Sequence, residues 1–304
     1  MKDSRASLER QGLPGADPPE PPASAKRFPD GGQYRIEIPS TEGPRVLAAV
    51  LDEAARRRVP VHRVSQGSGI LLMTDDEISE MATLGRRAAI EVNLFIGPRA
   101  TFDIGAQAYA AAGKTLGLSL RGVDQLVYAL EDVKRAVQLG IESVLVSDLG
   151  LLAVMGRMKK AGELPGSLII KTSVMMAPAN PASARLLEDL GATTINVPSD
   201  LTLSQVSAIR AAIDAPIDFY IEAPDNIGGF IRYYELPELI RVAAPVYVKL
   251  GLRNSPDVYP SGTHIGNTVI AMSRERVRRA QIAREMIARY APHLVMSPAP
   301  RPLG

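Results

Sequence analysis

Eight short runs rich in Val, Ile, Leu and aromatic residues recur along this chain, and a stretch of helical periodicity follows each. The spacing predicts strands at Tyr34–Ile38, Val61–Ser65, Ile90–Ile96, Ser143–Ser147, Leu168–Val174, Thr193–Val197, Ile217–Glu222 and Val246–Leu250. It predicts helices at Arg45–Arg58, Asp75–Arg87, Val123–Leu139, Leu149–Ala161, Pro181–Leu190, Leu203–Ile213, Leu236–Ala243 and Ser273–Tyr290. Local chemistry marks several ends: Thr74 and Glu77 have capping-box spacing, Asn180 stands before Pro181 as a cap, and Gly140 and Gly191 stop helices. Most strands read as apolar runs rather than strict alternations, the pattern of a parallel sheet buried on both faces. Eight such units in ~260 residues match a closed (β/α)₈ TIM barrel, an α/β fold of one domain. An open doubly wound sheet is the competing architecture, but no GxGxxG follows an early strand.

The barrel is expected over residues 33–291, between two weaker segments. Residues 1–32 carry six prolines among Gly, Ser and charge, and read as a disordered leader. Residues 292–304 form a short tail, in which Leu294–Met296 can dock. The passage Arg99–Gly122 is longer than an ordinary connection and reads as an inserted or functional segment.

Composition narrows the function classes. The formal net charge is +2, from 35 basic and 33 acidic residues, which gives no electrostatic footprint for nucleic acid. The runs Arg56–Arg58 and Arg274–Arg279 read as solvated helix faces. No cysteine is present, so the chain offers no thiolate nucleophile and no cysteine-held iron–sulfur cluster. No stretch reaches the ~18 apolar residues of a membrane span and no signal-peptide core is visible, so a cytoplasmic protein is expected.

In a barrel the strand C-termini carry the site. Glu222 ends one strand and Lys249 nearly ends the next, within IDFYIEAPDNIGGFIR and VYVKLGLRN. On a strict alternation Glu222 shares a face with Tyr220, Lys249 with Tyr247, Lys171 with Ser173, Asn196 with Thr194, and Glu91 with Asn93. Glu222 is the first candidate for a general base. With Asp225 close behind, it also suits a divalent cation, since carboxylates are ligands for hard metals. Lys249 and Lys171 are candidates for electrostatic stabilisation or for Schiff-base chemistry. His264 is the candidate histidine acid/base. Arg253, Gly228 and Gly229 occupy the usual anion-binding rim, while Asn196, Gln66 and Asn93 offer polar contacts to substrate. The plain alternatives are an ion pair between Glu222 and Lys249, ordinary turn chemistry for Asp225-Asn226, and a solvated loop for His264.

The segment LLEDLGATTINVPSDLTLSQVSAIRAAIDAPIDFYIEAPD resembles the collagenase-like peptidase family of unassigned catalytic type, peptidase family U32. The resemblance spans roughly residues 120–255 and matches the family's strand glutamate to Glu222. VSQGSGILLMTDDEI and VYVKLGLRNSPDVYPSGTHI are similar to a cysteine-free, actinobacterial-type bacterial subgroup. It implies a TIM barrel and a hydrolase label. In the family a His-Gly-Ala-x-Cys segment follows the glutamate, where this chain has Ala-Pro-Asp-Asn-Ile-Gly-Gly. The expectation is an enzyme acting on a small carboxylated or phosphorylated substrate by acid/base or metal-assisted chemistry. A Schiff-base aldolase or lyase and a non-catalytic binding or assembly subunit stay open, as does a homo-oligomer through Ser273–Tyr290.

Overall fold

The computed structural model describes residues 2–97 and 118–300. Most of the expected Arg99–Gly122 segment, including Asp103–Gln107, lies outside the described residues. The strands are β1 (Tyr34–Pro39), β2 (Arg63–Ser65), β3 (Glu91–Phe95), β4 (Ser143–Val146), β5 (Ile169–Thr172), β6 (Ile195–Asn196), β7 (Ile217–Glu222) and β8 (Val246–Leu250). They pair in parallel in the order β5-β4-β3-β2-β1-β8-β7-β6. The two ends of that ladder meet at a Lys171–Thr194 bridge, with the Thr172 N–H donating to the Thr194 carbonyl at 3.1 Å. The sheet thus closes into the expected (β/α)₈ barrel.

The helices are α1 (Lys2–Arg10), α2 (Pro44–Arg57), α3 (Asp75–Ala88), α4 (Gly122–Gln138), α5 (Leu149–Ala161), α6 (Pro181–Asp189), α7 (Leu203–Ala212), α8 (Leu236–Ala243) and α9 (Gly266–Tyr290). Capping boxes start α3 at Thr74, α6 at Asn180 and α7 at Thr202, each satisfying backbone N–H groups that have no partner within the helix. Helices α5 and α6 approach so closely that a Cβ on Gly156 would lie 2.0 Å from the Leu190 carbonyl oxygen. Among the described residues no helix is long and apolar enough to cross a membrane.

Within the expected leader, the described structure places α1 and buries Phe28, whose ring meets Tyr247 edge-on at 5.2 Å. The tail bridges β1 through Tyr34 and Met296, so both segments cover the strand N-termini.

The strands' two faces differ sharply. Ile36, Ile38, Val64, Val92, Leu94, Val144, Ile170, Phe219 and Val248 join the helices in one continuous apolar layer. The alternate positions turn inward and are polar: Glu37, Arg63, Glu91, Asn93, Lys171, Thr194, Asp218, Tyr247 and Lys249. Strands β1 (YRIEIP), β3 (EVNLF), β7 (IDFYIE) and β8 (VYVKL) therefore alternate, which corrects the expectation of apolar runs. Barrel interiors are normally packed with branched apolar side chains. This one holds an ionic network.

Candidate functional site

Three carboxylates and three cations meet inside the barrel. Arg63 reaches Asp218 on the far side at 2.9 Å, Glu91 at 2.7 Å and Glu37 at 3.4 Å, with its guanidinium 3.5 Å over the Tyr247 ring. The Lys171 ammonium donates to Glu37 in a short hydrogen bond and to Ser65 Oγ at 3.2 Å, and lies 3.5 Å from Asp218. Lys249 Nζ is 3.6 Å from Glu37. Burial alone would push Glu37 up, but Lys171, Lys249 and Arg63 more than reverse it and hold its carboxyl well below the usual range. Burial lowers the Lys171 ammonium, against the pull of Asp218 and Glu37. Removing ions from water costs several kcal/mol each, so a network of this size is an expensive way to fill a core.

The strand C-termini open above that network into a cavity of about 730 Å³. Lys249, Tyr220 and Asn196 form its floor, Arg276 and Tyr259 a wall, and Phe95 and Met175 an apolar side. Lys249 sits 4.1 Å over the Tyr220 ring. With the Asn196 amide turned so that its oxygen faces the ammonium, Nζ donates to it at 2.8 Å. Burial is the main cause that raises the Tyr220 hydroxyl above its ordinary pKa, so it stays a protonated phenol at neutral pH. The loop after β8 forms the upper wall: Tyr259 Oη hydrogen-bonds Ser40 Oγ at 2.5 Å, and the Ser261 N–H donates to Ser68 Oγ at 2.7 Å.

The residues expected at the site divide. Lys249, Asn196, Gln66 and Asp225 line the cavity. Gln66 already spends its amide on the Gly69 N–H, the Gly69 carbonyl and the Phe95 N–H. Lys171 is fully buried below the floor and Asn93, bonded to Ser143 Oγ at 2.7 Å, lies deeper in the barrel. His264 is exposed in a turn after β8 and does not line the cavity.

Glu222 does not share the cavity face with Tyr220. A register shift between Tyr220 and Glu222 breaks the alternation that puts them together. The carboxylate instead accepts from Tyr233 Oη at 2.7 Å and the Arg253 N–H at 3.1 Å, and pairs with Arg279 at 3.4 Å. It ties the loops after β7 and β8 to α9. Among the described residues it makes no ion pair with Lys249. Arg253 points away too: its Nη1 donates to the Gly229 carbonyl at 3.0 Å and its Nε lies 3.5 Å from Asp225. Gly228 and Gly229 shape that turn with positive φ outside the cavity lining. Among the described residues no group of three or more His, Asp or Glu side chains converges to hold a metal ion.

Sequence reasoning missed Glu37, Arg63 and Asp218 inside the barrel, and Arg276 at the cavity. Expected on a solvated face, Arg276 is 3% exposed and lines the cavity. The periodicity already carries the signal: Val269, Ser273, Arg276, Val277, Ala280, Ala283 and Ile287 form the buried stripe of α9.

Comparison with known proteins gives a family likeness over part of the chain and no reaction. No curated protein matches the sequence. The structure of the U32 peptidase Mk0906 is similar at 18% identity and a TM-score of 0.42, over 65% of this chain and 72% of that one. A putative lyase/mutase from Burkholderia cenocepacia is similar at 13% identity and a TM-score of 0.47, over 86% and 85%. The lyase acting on 2,3-dimethylmalate is similar at 10% and 0.45, over 91% and 87%. None of these bears on substrate or mechanism. The family model for peptidase family U32 matches residues 119–223, the stretch from the start of α4 to the end of β7. Over that stretch, about a third of its length, the chain is similar to peptidase family U32.

Proposed function

We propose that the chain is a barrel enzyme that acts on a small carboxylated or phosphorylated substrate by acid/base chemistry in the mouth cavity. One observation carries this reading: Lys249 is the tip of a sealed ionic network, and it faces a cavity large enough for a small molecule. Glu37 beneath it fixes the ammonium in place, and Asn196 orients it from the side. A preorganised cation of this kind stabilises negative charge developing on a substrate oxygen. Tyr220, kept protonated by burial and stacked on the same ammonium, is placed to donate a hydrogen bond to that oxygen. Glu222 lies outside this cavity, where it ties the loops after β7 and β8 to α9. Lys249 also faces the cavity as a Schiff-base nucleophile would, whereas Lys171 is sealed beneath it.

The experiment is turnover of a defined mixture of small carboxylates and phosphate esters, followed by mass spectrometry, with Lys249→Met alongside. Consumption by the wild type that is lost in folded Lys249→Met supports the reading. Consumption that survives in Lys249→Met refutes it. Borohydride trapping on Lys249 would replace the acid/base version with the Schiff-base one.

A further inference from the structure

Among the described residues lining the cavity, the proposed reaction leaves one buried cation unused. Arg276 enters the cavity wall from α9, 3% exposed, and its Nε has no hydrogen-bond partner. Nη1 donates to Ser273 Oγ at 3.3 Å; Glu42 and Glu222 are the carboxylates that act on the guanidinium, and among the described residues neither is in ion-pair contact with it. Its nearest phenols do not compensate the charge: burial raises both the Tyr220 and Tyr259 hydroxyls, so each stays neutral. The cations described inside the barrel, Arg63, Lys171 and Lys249, each have a carboxylate partner. Glu42 and Glu222 act on the guanidinium through space without pairing with it, so an oxyanion in the cavity would be its first direct counter-ion.

We infer that Arg276 is the anion-binding residue of the cavity, holding one carboxylate or phosphate group of the substrate through the donors it does not use within the protein. The guanidinium fork matches either oxyanion in two parallel hydrogen bonds, which a lysine cannot reproduce. Lys249, on the floor, is then left for the reacting end of the molecule. The substrate class is thus a small molecule with an oxyanion at one end and a reacting oxygen at the other. This inference rests on the cavity being the substrate site, and it moves the anion clamp from Arg253, which is engaged with Gly229 and Asp225 outside the lining.

The test is isothermal titration of the full chain with inorganic phosphate and, separately, with malonate. The proteins compared are the wild type, Arg276→Gln, Arg276→Lys and Arg253→Gln, each checked by circular dichroism. The expected result is that at least one probe binds the wild type and that Arg276→Gln weakens it by at least about 10-fold, the scale of lost charged hydrogen bonds. Arg276→Lys, which keeps the charge and so protects the fold, is expected to fall between the two. Phosphate binding alone, or malonate binding alone, identifies which oxyanion the site prefers. The inference is overturned if neither probe binds the wild type, if Arg276→Gln binds as the wild type does, or if binding is lost in Arg253→Gln instead. Loss of the inference together with Lys249-dependent turnover would leave the reaction in place on a substrate without an anchoring anion.

Discussion

Replacing Glu37 by Gln removes the carboxylate at the centre of the barrel network. The change keeps the side chain's size and its hydrogen bond with Ser65, which donates to Glu37 at 2.6 Å. It leaves Lys171 with Asp218 alone, at 3.5 Å, and leaves Lys249 without a carboxylate. Breaking a fully buried pair in this way costs about 3–5 kcal/mol, a large part of the ~5–15 kcal/mol that holds a domain folded. Lys171→Met is expected to cost a similar amount, because Glu37 then keeps only Arg63 at 3.4 Å and Lys249 at 3.6 Å. Each single change leaves the interior with one uncompensated charge. The double variant, Glu37→Gln with Lys171→Met, restores the balance between Glu91 and Asp218 on one side and Arg63 and Lys249 on the other. Its loss should therefore be close to that of either single variant, a coupling as large as one single loss, about 3–5 kcal/mol. Urea unfolding of the four proteins at neutral pH measures the cycle. Additive losses would show that the two charges do not act on one another and would refute the network as described.

Three further outcomes follow from the geometry. His62 Nδ1 accepts the Ile36 N–H at 3.1 Å, so the ring is neutral when folded, and burial lowers its pKa to about 4. The unfolded state then binds the extra proton first, so stability present above pH ~6.5 is lost as the pH falls towards ~4, by about 3 kcal/mol; the urea midpoint should follow this in the wild type and flatten over that window in His62→Gln. Gly156→Ala forces a Cβ against the Leu190 carbonyl and should lower the melting temperature at a cost of about 1–3 kcal/mol; an unchanged melting curve would contradict the close approach of α5 and α6. Glu222→Gln weakens the tie to Arg279 and should reduce thermal stability by a few degrees, while leaving phosphate or malonate binding in the cavity intact by titration.

How far the sequence discloses this molecule depends on which rule a residue obeys. The eight strands and the helix starts are legible because caps and apolar runs act locally: Thr74, Asn180 and Thr202 cap wherever their helices pack. The polar lining was misread as apolar runs, although the Arg35-Ile36-Glu37-Ile38 and Ile217-Asp218-Phe219-Tyr220 alternations stand in the sequence. Alternation ordinarily marks a face open to water, so only closure of the sheet shows that Glu37, Arg63 and Asp218 face one another across a lumen. Lys249 and Asn196 were found because they end strands. Glu222 was placed on the wrong face because a register shift of one residue reverses every inference from alternation, and nothing local announces it. Arg276 was hidden by its company. Arg274, Arg278 and Arg279 suggest a solvated run, whereas the spacing to Val269, Ser273 and Val277 puts Arg276 on the buried stripe.

The central claim is that chemistry takes place at Lys249 in the mouth cavity and not at Glu222 behind it. Small-molecule mass spectrometry of the purified protein, coupled to turnover of any compound it carries, tests this with Lys249→Met and Glu222→Gln side by side. The account predicts that folded Lys249→Met loses turnover and that Glu222→Gln, although less stable, retains it. Turnover that survives in Lys249→Met and disappears in Glu222→Gln would contradict it.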